Sequence, residues 1–471
     1  VKDNMKVRKI RLGLSLVVAG VTVPVMALAQ AAAPAAEPAP APPAAPPGPP
    51  PSAPQATTPS TPPAPVTAPT PEATPGPSEA PATSQPKQQQ EAPAAAAPAE
   101  TPPPAATISG YVDGAYHADL SNYKYNQLVP LRSYDAHGAN SFLLHSAHVG
   151  IGHSFTPEVS VFVSLDFGVD AAVDNALYAP VAPAGSIGSV PSPLGPVGTP
   201  IDFREAYAKY APGDLTIVAG KFVTLNGIEV VDGPLNPTVT RGFLFGLAEP
   251  VTHTGIKANY ALAGGKAHIG AGIVNGWDNV YDTNNQKTIL FNADVYPSDT
   301  FHAQLSGSWG AEQPDNDKNH RTTIDLTGAA IFDALTLNFQ GLIGFESFPS
   351  SGPSVLPGPI PDNKDLWFGL GVQPVYAMGD FTLGGRLEYF YDKHGTRPFL
   401  AGNGVAADKE SFLNFTITPG YMFSKSFTMR AEYRIDAVLG AKDFATGSDN
   451  KKILNGKSTQ STIALQAFYT F

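Results

Sequence analysis

Residues 222–249, "FVTLNGIEVVDGPLNPTVTRGFLFGLAE", set Glu229, Asp232 and Glu249 against Arg241 in a run otherwise rich in apolar side chains. Further charges stand in short alternating segments: Asp166 and Asp170 in "SLDFGVD", Arg204 in "DFREAYAKY", Arg386 in "GGRLEYFYD", and Arg430 and Arg434 in "MRAEYRID". Carboxylates and guanidinium groups clustered beside water act on passing ions by sign, through their field, and need no bond-making step. The competing reading is that these groups neutralise one another across a wall and never meet a solute.

Residues suited to covalent or metal chemistry do not fall into a working pattern. His145 and His148 lie three apart, which on a strand points them to opposite faces and keeps them from sharing a metal. "DNDKNH" at 315–320 imitates the start of a calcium loop, but it lacks the turn glycine, and Leu326 stands where the bidentate glutamate belongs. "NGKST" has the Lys-Ser of a phosphate loop, but Lys451 occupies the place of its first glycine. No G-x-S-x-G elbow occurs. With no cysteine in 471 residues, disulfides, thiolate metal sites and a Cys-anchored lipoprotein are excluded. A net charge of −11 argues against a nucleic-acid partner. The chain is read as a non-enzyme with no cofactor and no metal.

The elements that must position these charges change character along the chain. Residues 1–29 read as a signal peptide, with Lys6, Arg8, Lys9 and Arg11 before an apolar run and Ala27-Leu28-Ala29 as the cleavage site. Residues 30–106 are almost entirely Ala, Pro, Thr, Ser, Gln and Glu. They lack the apolar bulk for a core and are expected to form a disordered periplasmic spacer. Such a segment could also bind peptidoglycan; a plain tether is the simpler reading.

From 107 to 471 short segments alternate with period two. In "FTMRAEYRIDAV", Phe427, Met429, Tyr433 and Ile435 face away from Arg430, Glu432, Arg434 and Asp436. "FTLGGRLEYFYD" sets Leu383, Leu387, Tyr389 and Tyr391 against Arg386, Glu388 and Asp392. A soluble sandwich does not bury successive charges on one face and place aromatics at the ends of the other. A transmembrane antiparallel up-and-down β-barrel does, with lipid on the apolar face and water on the charged one. About sixteen strands fit, with fourteen and eighteen as the neighbouring counts. Tight links such as "FTPE", "PG", "SD" and "DA" alternate with long stretches at 118–140, 170–201, 222–249, 276–286, 311–320, 347–363, 392–410 and 439–458. An even count puts both chain ends in the periplasm.

"SGYVDGAYHADLSN", "GKFVTLNGIEVVDGPLN", "RGFLFGLAEPVTHTGIKANY" and "GIVNGWDNVYD" resemble the OmpL-like β-barrel porin family of diderm bacteria. The similarity spans 107–471 and is most specific in 214–281. It implies an outer-membrane porin, a water-filled channel for passive diffusion of small hydrophilic solutes and ions. The ending, with Tyr469 and Phe471 on one apolar face, resembles the signal read by the barrel-assembly machinery. By analogy with porins of this size, a homotrimer is expected.

A barrel this wide leaves an aqueous lumen, so the apolar 222–249 is expected to fold inward as a constriction. Its charges would then face Arg204, Asp166 and Asp170 on one side and Arg386, Arg430 and Arg434 on the other. Arg204 points inward if Tyr207 faces lipid. The alternative function is a structural or adhesive barrel that ties the outer membrane to the cell wall through the spacer; a lumen filled by side chains would favour it.

Overall fold

The computed structural model describes residues 106–120, 140–176, 201–349, 361–397, 410–439, 445–446, 451–452 and 459–471. The expected signal peptide, the spacer up to residue 105 and parts of five long connections lie outside the described residues.

Period-two alternation becomes sixteen barrel strands: β1 (Thr107–Asp119), β2 (Ser141–Ser154), β3 (Val159–Phe167), β4 (Ile201–Tyr210), β5 (Leu215–Val223), β6 (Thr252–Leu262), β7 (Ala267–Val274), β8 (Thr288–Ser298), β9 (Phe301–Gln313), β10 (Asn316–Phe332), β11 (Leu335–Ser347), β12 (Lys364–Met378), β13 (Phe381–Asp392), β14 (Glu410–Ser424), β15 (Phe427–Leu439) and β16 (Thr459–Thr470). Each pairs antiparallel with its neighbours in sequence, and β1 pairs with β16 to close the ring. Gly110 and Phe471 exchange two backbone hydrogen bonds of 3.0 Å across that seam. Closure leaves no strand edge unpaired, as lipid requires, because a bare amide has no water partner there.

The two faces of the wall differ in composition as the alternation predicts. Ile256, Ile273, Leu370, Leu387 and Leu465 are exposed on the outside, while Asp325, Glu388, Asn414, Arg434 and Gln466 are buried within. An apolar belt of this kind is stable only against hydrocarbon.

Four expectations need correction. The stretch 311–320 is not a long connection: β9 and β10 extend through it to a tight turn at Pro314-Asp315, where Asp315 adopts a positive φ of 55°. Asp170 is not on a strand, since β3 ends at Phe167 and Asp170 sits on a short inner helix, α1 (Val169–Ala176). Two β-bulges change the facing of residues. In β2, Asp113 pairs with Ser146 and Gly114 with Leu144, so His145 is the extra residue. That bulge buries both His145 and His148 on the inner face. In β4, Ser164 pairs with Glu205 but Asp166 with Asp202. An extra residue reverses the alternation, so Asp202 and Arg204 point inward before it, and Glu205 and Tyr207 after it. Tyr207 therefore packs inside the barrel on Val218 and Phe222, and Arg204 is inward for a different reason than its spacing implied.

Candidate functional site

The connection between β5 and β6 crosses the interior instead of lying over the rim. Its apolar residues explain why. Phe243, Leu244, Leu247 and Ala248 join Trp277, Leu342 of β11, Trp367 of β12, Phe390 of β13, Phe412 of β14 and Val438 of β15 in one buried cluster. Burying a side chain the size of Phe or Leu stabilises by about 1.5–3 kcal/mol, a gain an exposed loop would forgo. Two glycines permit the close approach. Gly227, with φ of 83°, leaves its Cβ space to the Glu249 carboxylate, and Gly384 of β13 leaves its own to the Pro237 carbonyl.

Outside two short helical turns at Gly233–Leu235 and Leu244–Ala248, the segment has no regular secondary-structure partner for its amides, so the wall's side chains supply several of them. The Glu432 carboxylate accepts from the Val239 and Thr240 amides at 2.6 and 3.1 Å. Glu388 accepts from the amides of Phe243 and Leu244, and Asp325 from that of Gly227. Arg430 donates to the carbonyls of Asn236 at 2.7 Å and Pro234 at 2.8 Å. Arg434 donates to the Arg241 carbonyl at 2.6 Å while pairing with Asp436 at 2.9 Å. At the far end, Asp278 accepts from Val251 and Thr252, each at 2.8 Å. Burial raises the Asp278 carboxyl, against the pull of those two amides.

The charges of the segment do not pair with one another. Glu229 meets Arg386 at 2.7 Å and also accepts from the Gly242 amide at 2.6 Å. Arg241 meets Asp170 of α1 at 2.8 Å. Glu249 accepts from Gln340 at 2.6 Å. Asp232 meets Arg204 at 2.8 Å, and Arg204 also reaches Asp166 at 3.3 Å. Burial by itself would raise the Asp232 carboxyl, but Arg204 and His148 hold it below the usual carboxylate range. The structure thus brings all ten sequence-predicted charges to this one segment and its wall. Glu229, Arg241, Glu249, Arg204, Asp166, Asp170, Arg386 and Arg434 are buried. Asp232 and Arg430 are half-buried and border a cavity of about 1530 Å³ on the tight-turn side. Tyr469 and Phe471 are exposed outside the wall.

Glu388, Glu432 and Asp325 were missed as site residues, although Glu388 and Glu432 share the alternation that singled out Arg386 and Arg434. Alternation gives the face; it does not tell which carboxylate will receive a backbone amide from a distant segment.

Residues 105–471 match the profile of the family described as "Putative beta-barrel porin-2, OmpL-like". No curated protein sequence matches the chain. Similar solved structures include the anion-selective porin of Comamonas acidovorans, at 10% identity and a TM-score of 0.50, covering 78% of this chain and 99% of that one. The outer-membrane channel DcaP of Acinetobacter baumannii is similar at 14% identity and a TM-score of 0.47, covering 78% of this chain and 97% of that one. With its closed sixteen-stranded wall, apolar outside and charged within, the chain belongs to the OmpL-like β-barrel porin-2 family and is a porin of the outer membrane.

Proposed function

We propose that the barrel passes small hydrophilic solutes and ions by passive diffusion, with the segment joining β5 and β6 as its constriction. The observation that supports this most is the course of that segment: it bonds to β4, β10, β11, β13 and β15, on widely separated parts of the ring, and borders a large water-accessible cavity. In this reading the ten charges divide. Glu229, Arg241, Glu249, Arg204, Asp166, Asp170, Arg386 and Arg434 hold the segment in place. Asp232 and Arg430 also bond the segment to the wall, but they border the cavity and so act on passing ions as well, because a field is felt most where the charge meets water beside a low-dielectric wall. The 30–106 spacer is a periplasmic tether in the same reading.

Planar-bilayer recording tests it. Shortening the segment between Gly227 and Gly246 should raise single-channel conductance and admit larger solutes. Under a salt gradient, Asp232→Asn should shift the reversal potential toward anions and Arg430→Gln toward cations. Unchanged conductance together with unchanged reversal potentials would sink the constriction.

One observation favours a second reading, a structural or adhesive barrel tied to the cell wall through the spacer: the segment carries a buried aromatic cluster into the lumen. A purified, folded barrel that shows no conductance, with or without the shortened segment, would select it.

A further inference from the structure

Opposite charges inside this barrel close onto one another. Arg386–Glu229, Arg241–Asp170, Arg321–Glu346 and Arg434–Asp436 all lie within 2.7–2.9 Å. One pair does not. Glu205 of β4 and Lys257 of β6 both line the tight-turn-side cavity. Of the charges around it, Glu205 feels its neighbour Arg204 first and Lys257 after it; Lys257 feels Glu205 first and then Asp294, which Asn292 engages at 2.6 Å. Yet neither has an ion-pair partner within 4.0 Å among the described residues. Strand β5 runs between them, and its Phe222 ring lies under the Lys257 ammonium, 4.5 Å from nitrogen to ring centre. Val218, Phe222 and the inward Tyr207 form one apolar cluster at this level.

We propose that this slot binds small zwitterions, solutes carrying a carboxylate and an ammonium on an apolar body. Lys257 takes the carboxylate, Glu205 takes the ammonium, and the partly exposed Tyr207 ring carries the body. The bulge in β4 creates the slot, because it turns Glu205 inward beside Tyr207. The other carboxylates on the cavity do not compete. Asp232 is held by Arg204, while Glu158, Asp214 and Asp380 are exposed at the mouth, where water and salt screen them. Two half-buried charges of opposite sign, each without an ion-pair partner among the described residues, favour a ligand that supplies both counter-charges, since a ligand with one leaves the other uncompensated.

The proposal rests on the porin reading only for how a solute arrives, so binding is measured apart from conduction. Calorimetric titration of the detergent-folded barrel with L-phenylalanine, benzoate and phenethylamine reads the slot directly. Phenylalanine should bind about tenfold or more tighter than either singly charged analogue. Lys257→Met should remove its advantage over phenethylamine, and Glu205→Gln its advantage over benzoate. Heat-dependent gel mobility shows which variants fold, and Lys257→Gln replaces the methionine variant if that one does not. Benzoate binding as tightly as phenylalanine to the wild type, or phenylalanine affinity unchanged in both variants, would overturn the proposal. Loss of conductance with binding retained would count against the porin reading alone.

Discussion

The segment's anchors and the cavity on the tight-turn side are built from the same residue types, and they differ in whether water reaches them. Around Glu229, Arg241 and Arg386 every charge is buried and met by an opposite charge or a backbone group. Around Asp232, Arg430, Glu205 and Lys257 the side chains are half-buried against a cavity. A desolvated charge must be neutralised locally, so it becomes a structural bond; a charge at the edge of water stays available to a solute. Position along the lumen, more than residue type, separates anchoring from recognition.

The largest expected effect lies on the anchored side. Arg386→Ala should destabilise the folded barrel by about 3–5 kcal/mol, because it leaves Glu229 buried and unpaired. Arg430→Ala, at the cavity edge, should cost clearly less. Urea unfolding in detergent micelles measures both, and equal losses would erase the distinction between the two regions.

The wall itself gives the next contrast. Val163→Arg on the lipid face should destabilise by about 2–4 kcal/mol. Ser160→Arg on the same strand, lining the cavity, should be tolerated far better. Equal losses from the two would show that the register of β3 is wrong.

The smallest effect concerns pH. The Asp232 carboxyl is held below its ordinary value by Arg204, so its contribution is complete above the unfolded value of about 3.9. It is lost only as pH falls through the lower folded value. Thermal unfolding from pH 6 to pH 2 should therefore show an acid-side loss of about 1 kcal/mol from this latch. Asp232→Asn should remove that loss and leave stability near neutrality lower by a similar amount. An acid limb unchanged by the substitution would mean that Asp232 and Arg204 do not latch the segment.

The wall was legible in the sequence because side-chain alternation is a local property. Arg430, Glu432, Arg434 and Asp436 opposite Met429, Tyr433 and Ile435 can be satisfied only with water or protein on one face and lipid on the other, whatever the rest of the chain does. Strand number followed from repeating that test, and so did the alternation of tight and long links except at 311–320, where β9 and β10 run on to a tight turn. The apolar run in 222–249 likewise announced a segment that would not remain a surface loop. Partners could not be read this way. Glu229 finds Arg386 from 157 residues away in the chain, and Val239 finds Glu432 from 193, separations at which no spacing rule applies. Nor could the bulges in β2 and β4 be seen, since one extra residue leaves the pattern on either side intact and only shifts its phase. That shift turned His145, Glu205 and Tyr207 inward and made the slot beside Lys257. Alternation along each strand fixed the two faces of the barrel; ring closure and two single-residue bulges decided which charges meet inside it, because only the closed wall brings distant strands within hydrogen-bonding reach.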